Sequence, residues 1–179
     1  MATEFQRIKV QAMFDAFDAD GNGYLEESDF RALAARWRGL PAVRSDGDLA
    51  ERVESVMMGW WDNLAATSDT PENAQVDMDK LMTVVDRLPS MPEAVMATAD
   101  TIFDAVDENG DGHISRSEHR QLIDTWHGRS IDTADVFDRL DADGDGFLER
   151  EQFAVLWTQF WLSTDPADPG NLMCGPLRA

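Results

Sequence analysis

A chain of 179 residues with 43% hydrophobic side chains can bury a sizeable core, which excludes wholesale disorder. Its formal charge of −20, from 15 basic against 35 acidic residues, argues against nucleic acid and anionic membrane surfaces and favours cations or basic and apolar partners. No run reaches the ~18 apolar residues of a membrane span, residues 1–7 lack the basic start and apolar run of a leader, Ala2 replaces the glycine that myristoylation needs, and the single Cys174 allows no internal disulfide; a cytoplasmic monomer is expected.

The first predicted element is an amphipathic helix over about 3–17, with Phe5, Ile8, Met13, Phe14 and Phe17 at roughly helical spacing. It runs into a twelve-residue loop from Asp18 to Asp29. Asp18, Asp20 and Asn22 stand two apart and can aim oxygens at one centre, while Tyr24 supplies its main-chain carbonyl and Asp29 closes the loop. This spacing resembles a calcium-binding EF-hand loop. Asp29 is one methylene shorter than the usual closing glutamate, so the first loop is expected to lean toward six ligands and to tolerate Mg2+ as well as Ca2+.

The exiting helix, from Ser28 or Asp29 to Arg38, carries Phe30, Leu33, Ala34 and Trp37 on one face, and Gly39 to Pro41 ends it. A helix from about Asp48 to Ala65 follows, with Leu49, Val53, Val56, Met57, Trp60, Trp61 and Leu64. Asp69 to Lys80 lies on the same loop frame with most ligand positions lost: Pro71 stands at position three, Ala74 replaces the turn glycine, and Lys80 replaces the closing acid. It reads as a decayed loop retained because Val76 can pair with Leu25. A helix over Met78 to Leu88 is broken at Pro89 to Pro92, the predicted boundary between the two halves.

Ser90 and Glu93 read as a capping box opening a helix with Val95, Met96, Ala99, Ile102, Phe103 and Val106. It leads into Asp107 to Glu118, where Asp107, Asn109 and Asp111 are side-chain ligands, Gly112 permits the turn, His113 gives a carbonyl, Ser115 takes the water position and Glu118 can bind with both oxygens. All ligand positions are unimpaired, and this is expected to be the tightest site. A helix with His119, Leu122, Ile123 and Trp126 ends at Gly128; His119 and His127 are read as solvated. Ser130 or Asp132 is read as the cap of a helix with Val136, Phe137 and Leu140. The next loop offers Asp141, Asp143, Asp145 and the Phe147 carbonyl, but Gln152, a neutral amide, closes it and predicts weaker binding. A last helix over Arg150 to Leu162 precedes a Pro- and Gly-rich tail in which Leu172 and Met173 can tuck against the body.

First-ligand positions at Asp18, Asp69, Asp107 and Asp141 make a fourfold repeat. The chain resembles the sarcoplasmic calcium-binding protein group, including calerythrin-like bacterial members, in having four hands of which the second has lost its metal and in the aspartate closing the first loop. The segment from Phe160 to Pro166, with Gly175-Pro176, is similar to the C-terminal segment of coelenterazine photoproteins and of actinobacterial EF-hand proteins. The resemblance implies an all-α fold, four EF-hands in two pairs packed face to face as one compact globule: an N-terminal pair over 1–89, a C-terminal pair over 90–164, and a tail over 165–179. The expected role is calcium buffering or calcium-responsive signalling, the latter through an apolar groove for a protein target; the alternative is an apolar small-molecule or photoprotein-like luciferin binder. Against the luciferin reading, Trp157 stands where photoproteins carry a histidine. No phosphate loop or Cys/His pairing appears, and the acids have a better use as ligands than as an acid–base pair, so no enzyme is expected.

Overall fold

Thr3 starts the first helix with a reciprocal cap: its hydroxyl accepts the Gln6 amide at 3.2 Å, and the Gln6 side chain accepts the Thr3 amide at 3.0 Å. The computed structural model describes residues 3–133 and 135–177. Among them, α1 (Glu4–Phe17) is followed by α2 (Glu27–Arg38), α3 (Pro41–Ser45), α4 (Gly47–Ala65), α5 (Met78–Arg87), α6 (Pro92–Val106), α7 (Arg116–His127), α8 (Val136–Leu140) and α9 (Arg150–Leu162). The fold is mostly helical and built from paired helix-loop-helix units. Two short strands, β1 (His113–Ser115) and β2 (Phe147–Glu149), run antiparallel with Ile114 opposite Leu148, and Leu25 makes an isolated bridge to Val76. Both expected loop pairings therefore form. All four residues are fully buried, each worth roughly 1.5–3 kcal/mol of apolar burial.

The apolar faces of the helices merge into one core that includes Trp126 of α7. Its ring lies edge-on to Phe17 of α1, Trp37 of α2 and Trp157 of α9, at centroid distances of 5.3, 5.5 and 5.6 Å, and its indole N–H faces the Met13 sulfur. Arg36 adds a polar tie. Its guanidinium donates to the carbonyls of Ala16 at 3.4 Å and Trp126 at 3.1 Å, in the last turns of α1 and α7, where the helix dipoles favour a cation.

Several local expectations are corrected. Gly39 ends α2 as expected, but Pro41 at once opens the unforeseen short helix α3, and Asp46 then caps α4 by accepting the Leu49 amide at 3.0 Å. Ser90 makes no capping box; it lies in a 3-10 turn, and its hydroxyl donates back to the Arg87 carbonyl at 2.6 Å, leaving Met91 as the cap. Nor does a helix start at Ser130 or Asp132. The Ile131 amide is taken by Asp124 at 3.0 Å and the Ser130 hydroxyl accepts from Arg120 at 3.2 Å, so α8 begins only at Val136. Ile8 and Met96, assigned to apolar faces, are 46% and 41% exposed.

The tail is ordered by a cation inside the protein. Lys9, fully buried on α1, donates to the carbonyls of Gln159 at 3.3 Å and Ser163 at 2.8 Å and to the Asn171 side chain at 2.8 Å, which draws the last turn of α9 and the tail onto α1. Gly170 lies so close to α9 that a Cβ there would stand 2.4 Å from the Leu156 carbonyl oxygen. Met173 and Cys174 are buried beyond it.

Candidate metal-binding loops

Loops of this kind must place several anionic oxygens near one point, and main-chain amides hold them there. The same mesh recurs in three loops. At position one, Asp18 accepts the amides of Asn22 and Gly23 (3.0 and 2.9 Å), Asp107 those of Asp111 and Gly112 (3.2 and 2.9 Å), and Asp141 those of Gly144 and Gly146 (2.9 and 2.8 Å). At position five, Asn22, Asp111 and Asp145 accept the amides of Tyr24, His113 and Phe147 at 2.8, 2.9 and 2.9 Å. The turn needs a left-handed residue at position six, and Gly112 supplies it with φ of 80°. At position three, Asp20 and Asn109 accept the amides of Asn22 (3.0 Å) and Asp111 (2.9 Å), and Asp143 that of Asp145 (3.4 Å).

The closing position separates the loops. Glu118 is buried at the start of α7, one oxygen accepting the Glu108 amide at 3.0 Å and the other the Ser115 amide at 2.8 Å and the Ser115 hydroxyl at 2.7 Å. Asp29 repeats this with the amides of Ala19 and Glu26 at 3.1 and 2.8 Å, despite its shorter side chain. Burial raises its carboxyl above the ordinary value, with Asp20 and Asp18 adding to the rise, while the two amides oppose it. Gln152 differs in kind. Its carbonyl accepts the Glu149 amide at 2.8 Å, which orients the side chain so that its NH2 donates to Asp143 at 3.0 Å. A donor thus stands where Glu118 and Asp29 present a second oxygen. The sequence shows the lost charge at this position; the direction of the amide follows only from the Glu149 contact.

Asp18, Asp20 and Asp29 each bring one carboxylate oxygen within 4.8 Å of the others, as do Asp141, Asp143 and Asp145. Such hard oxygen sets suit a hard divalent cation such as Ca2+ or Mg2+. In the Asp107 loop Asn109 donates its amide to Asp111 at 2.9 Å, as Asn22 does to Asp20 at 3.1 Å in the first loop. The Tyr24 and Phe147 side chains are exposed. Glu151 is exposed in the first turn of α9.

The second loop retains none of this mesh at its start: Pro71–Asn73 form a 3-10 turn. The two histidines read as solvated are not. His119 is buried with its Nε2 3.0 Å from the Met173 carbonyl oxygen, and burial pushes it down to about 4; His127 is half-buried, 2.8 Å from the Cys174 carbonyl oxygen. The docked tail covers both. Lys9 was also missed as a buried group, although its place on the face of Met13 and Phe17 is a signal for it.

Two family descriptions match the chain: "EF-hand domain pair" over residues 6–36, and "EF hand" over residues 99–123 and 133–154. The sarcoplasmic calcium-binding protein alpha chain of Penaeus vannamei is 27% identical over 185 aligned residues, covering 96% of this chain and 95% of that protein, whereas the match to the Scylla paramamosain protein spans 62% of its length. Among solved structures, the sarcoplasmic calcium-binding protein of amphioxus superposes with a TM-score of 0.72 at 19% identity over 98% of this chain and 99% of that one. Calcium-loaded apo-aequorin from Aequorea victoria gives 0.74 at 17% identity over 93% and 95%. The chain carries EF-hand domains, and the sarcoplasmic calcium-binding proteins are its homologues.

Proposed function

We propose that this chain is a calcium-binding protein that fills the Asp107–Glu118 loop first, then the Asp18–Asp29 loop, and the Asp141–Gln152 loop last, and that it acts as a buffer. The observation that carries this is the shared mesh of main-chain amides on the position-one, position-three and position-five oxygens of the three loops. The order follows the closing residue: a long carboxylate at Glu118, a short one at Asp29, and an amide donating toward the ligand set at Gln152. At the first loop the shorter acid suits a six-ligand shell, so Mg2+ competes there.

We read the chain as a buffer on the closed packing of its methionines, a reading that a calcium-dependent rise in apolar dye binding would overturn. Met13, Met57, Met82 and Met173 are buried in the core, and the exposed large apolar residues Ile8, Tyr24, Met96, Phe147 and Val155 come from separate helices and loops. A sensor of the kind that opens a methionine-lined groove has these side chains at its surface when calcium is bound. The proposed organisation is a pair of hands over 1–89, a second over 90–164 and a docked tail. Among the described residues no helix is long and apolar enough to cross a membrane. Catalysis is not part of the reading: the loop acids bond to main-chain amides, and burial pushes the Cys174 thiol up, away from the thiolate.

For the small-molecule alternative, the described residues enclose an apolar cavity of about 70 Å3 bordered by Phe17, Trp60, Trp126, Trp157 and Trp161. Sites for drug-sized ligands span ~300–1,000 Å3, so a luciferin does not fit this cavity. Titration calorimetry with calcium, paired with the amide resonances of Gly23, Gly112 and Gly146, tests the main reading. Three graded events are expected, with Gly112 moving first; no heat and no amide shift ends it.

A further inference from the structure

We propose that the ammonium group of Lys80 takes the place of the metal in the second loop, holding that loop in its paired form at every calcium level as a permanent partner for the first loop. The consequence for calcium affinity rests on the reading of Asp18–Asp29 as a calcium site; the role of Lys80 itself does not.

On the frame that begins at Asp69, Gln75 is position seven and Lys80 position twelve. In a metal-binding hand these positions meet through the cation, one by its main-chain carbonyl and the other by its carboxylate. Here they meet directly. Lys80 Nζ donates to the Gln75 carbonyl at 2.9 Å, with the Ser68 hydroxyl at 3.4 Å. A positive charge is thus delivered by the chain to the carbonyl that would otherwise be a ligand, and it is delivered from the position whose usual acid would have held the ion. An ammonium has three donors and no acceptor, which suits it to a carbonyl left over from a lost metal site.

The part of the loop that Lys80 closes is the part that pairs with the first hand. Leu25 and Val76 exchange both main-chain hydrogen bonds, at 2.8 and 3.0 Å, although loop two keeps no set of acidic ligands. Beside them the Gln75 side chain donates to Glu26 at 2.7 Å, and Asp77 caps α5 on the Lys80 amide at 2.9 Å. Gln75 and Val76 are adjacent, so the Lys80 contact sits one residue from the bridge. No chelator can remove this cation. The first loop therefore meets a partner that is already formed and binds as a single independent site, whereas the β1–β2 ribbon joins two loops that both carry ligand sets and can influence one another.

The test is amide exchange in metal-free protein with excess chelator, comparing the wild type with Lys80→Met, which keeps the length and removes the charge, and Lys80→Arg, which keeps the charge. Leu25 and Val76 should be protected in the wild type and in Lys80→Arg. In Lys80→Met they should exchange roughly fivefold to tenfold faster, the scale of one solvent-exposed hydrogen bond. The β1–β2 amides serve as an internal control and should not change. Wild-type protection in Lys80→Met overturns the proposal, and so does an equal loss in Lys80→Arg, which would mark a packing role. With calcium added, Lys80→Met should weaken the event seen at Gly23 by the same factor and leave Gly112 untouched. A Gly23 amide that ignores calcium in the wild type defeats the first-loop reading alone, since the exchange experiment contains no metal.

Discussion

Exchanging Gln152 for glutamate tests the ranking of the loops most directly, because the change alters one atom. The Gln152 NH2 that donates to Asp143 at 3.0 Å becomes an oxygen, while the other arm keeps its bond from the Glu149 amide. Adding a unit negative charge about 4 Å from a dication in a water-exposed loop contributes about 2 kcal/mol. Releasing Asp143 from the competing amide adds about 1 kcal/mol. Together these predict that Gln152→Glu tightens the third calcium event by roughly 30- to 150-fold at about 1.4 kcal/mol per decade. The same substitution places a fourth carboxylate beside Asp141, Asp143 and Asp145, so the metal-free protein should melt lower than the wild type while the calcium-loaded protein melts higher. Calorimetry resolves the affinity, the Gly146 amide assigns it to the loop, and melting with and without chelator checks the crossover. An unchanged affinity at Gly146 would refute the claim that the amide direction limits this site.

Glu118→Gln is the reciprocal exchange. It leaves the Glu108 amide without its 3.0 Å acceptor and should weaken the event seen at Gly112 by a similar roughly 30- to 150-fold, removing it from first place; persistence of that event contradicts the filling order. Lys9 titrates near 8 in the folded protein, against 10.5 when unfolded, because burial disfavours its charge. Between those values the unfolded chain holds the additional proton, so wild-type stability should gain up to about 3 kcal/mol as pH rises from 8 to 10.5 relative to Lys9→Met. Parallel denaturation profiles for the two proteins across that window would argue against it. Gly170→Ala forces a Cβ to within 2.4 Å of the Leu156 oxygen and 2.5 Å of the Gln159 Cβ. At about 1–3 kcal/mol of overpacking the tail should release, and the buried Cys174 should react with a thiol reagent roughly 5- to 150-fold faster. A labelling rate equal to that of the wild type shows that the tail holds without this close approach.

The three good loops were legible because an EF-hand loop is a local object. Its donors and acceptors lie within twelve residues, as in the bond from the Gly112 amide to Asp107 or from the Glu108 amide to Glu118, so spacing alone determines which side chains converge. The pairing of Leu25 with Val76 and of Ile114 with Leu148 was legible for the same reason, since each occupies the eighth position of its frame. What spacing could not decide was how a long polar side chain points. Gln152 and Lys80 read as losses, and only their contacts with Glu149, Asp143 and Gln75 made one a donor toward the ligand set and the other a cation on a ligand carbonyl.

The sequence by itself determined the helix-loop-helix repeat, the positions of the candidate ligands and the differing closing residues, because each depends on neighbours a few residues away. Only the tertiary structure decided that Lys9 is buried against Asn171, that His119 lies under the Met173 carbonyl, and that Trp126 of α7 joins α1 to α9. Those contacts bridge 162, 54 and 109 residues of chain for Lys9, His119 and the Trp126–Phe17 pair, where 171 − 9, 173 − 119 and 126 − 17 give the separations. A polar side chain is buried or solvated according to the partner that the fold brings to it, and at such distances no local pattern carries that information.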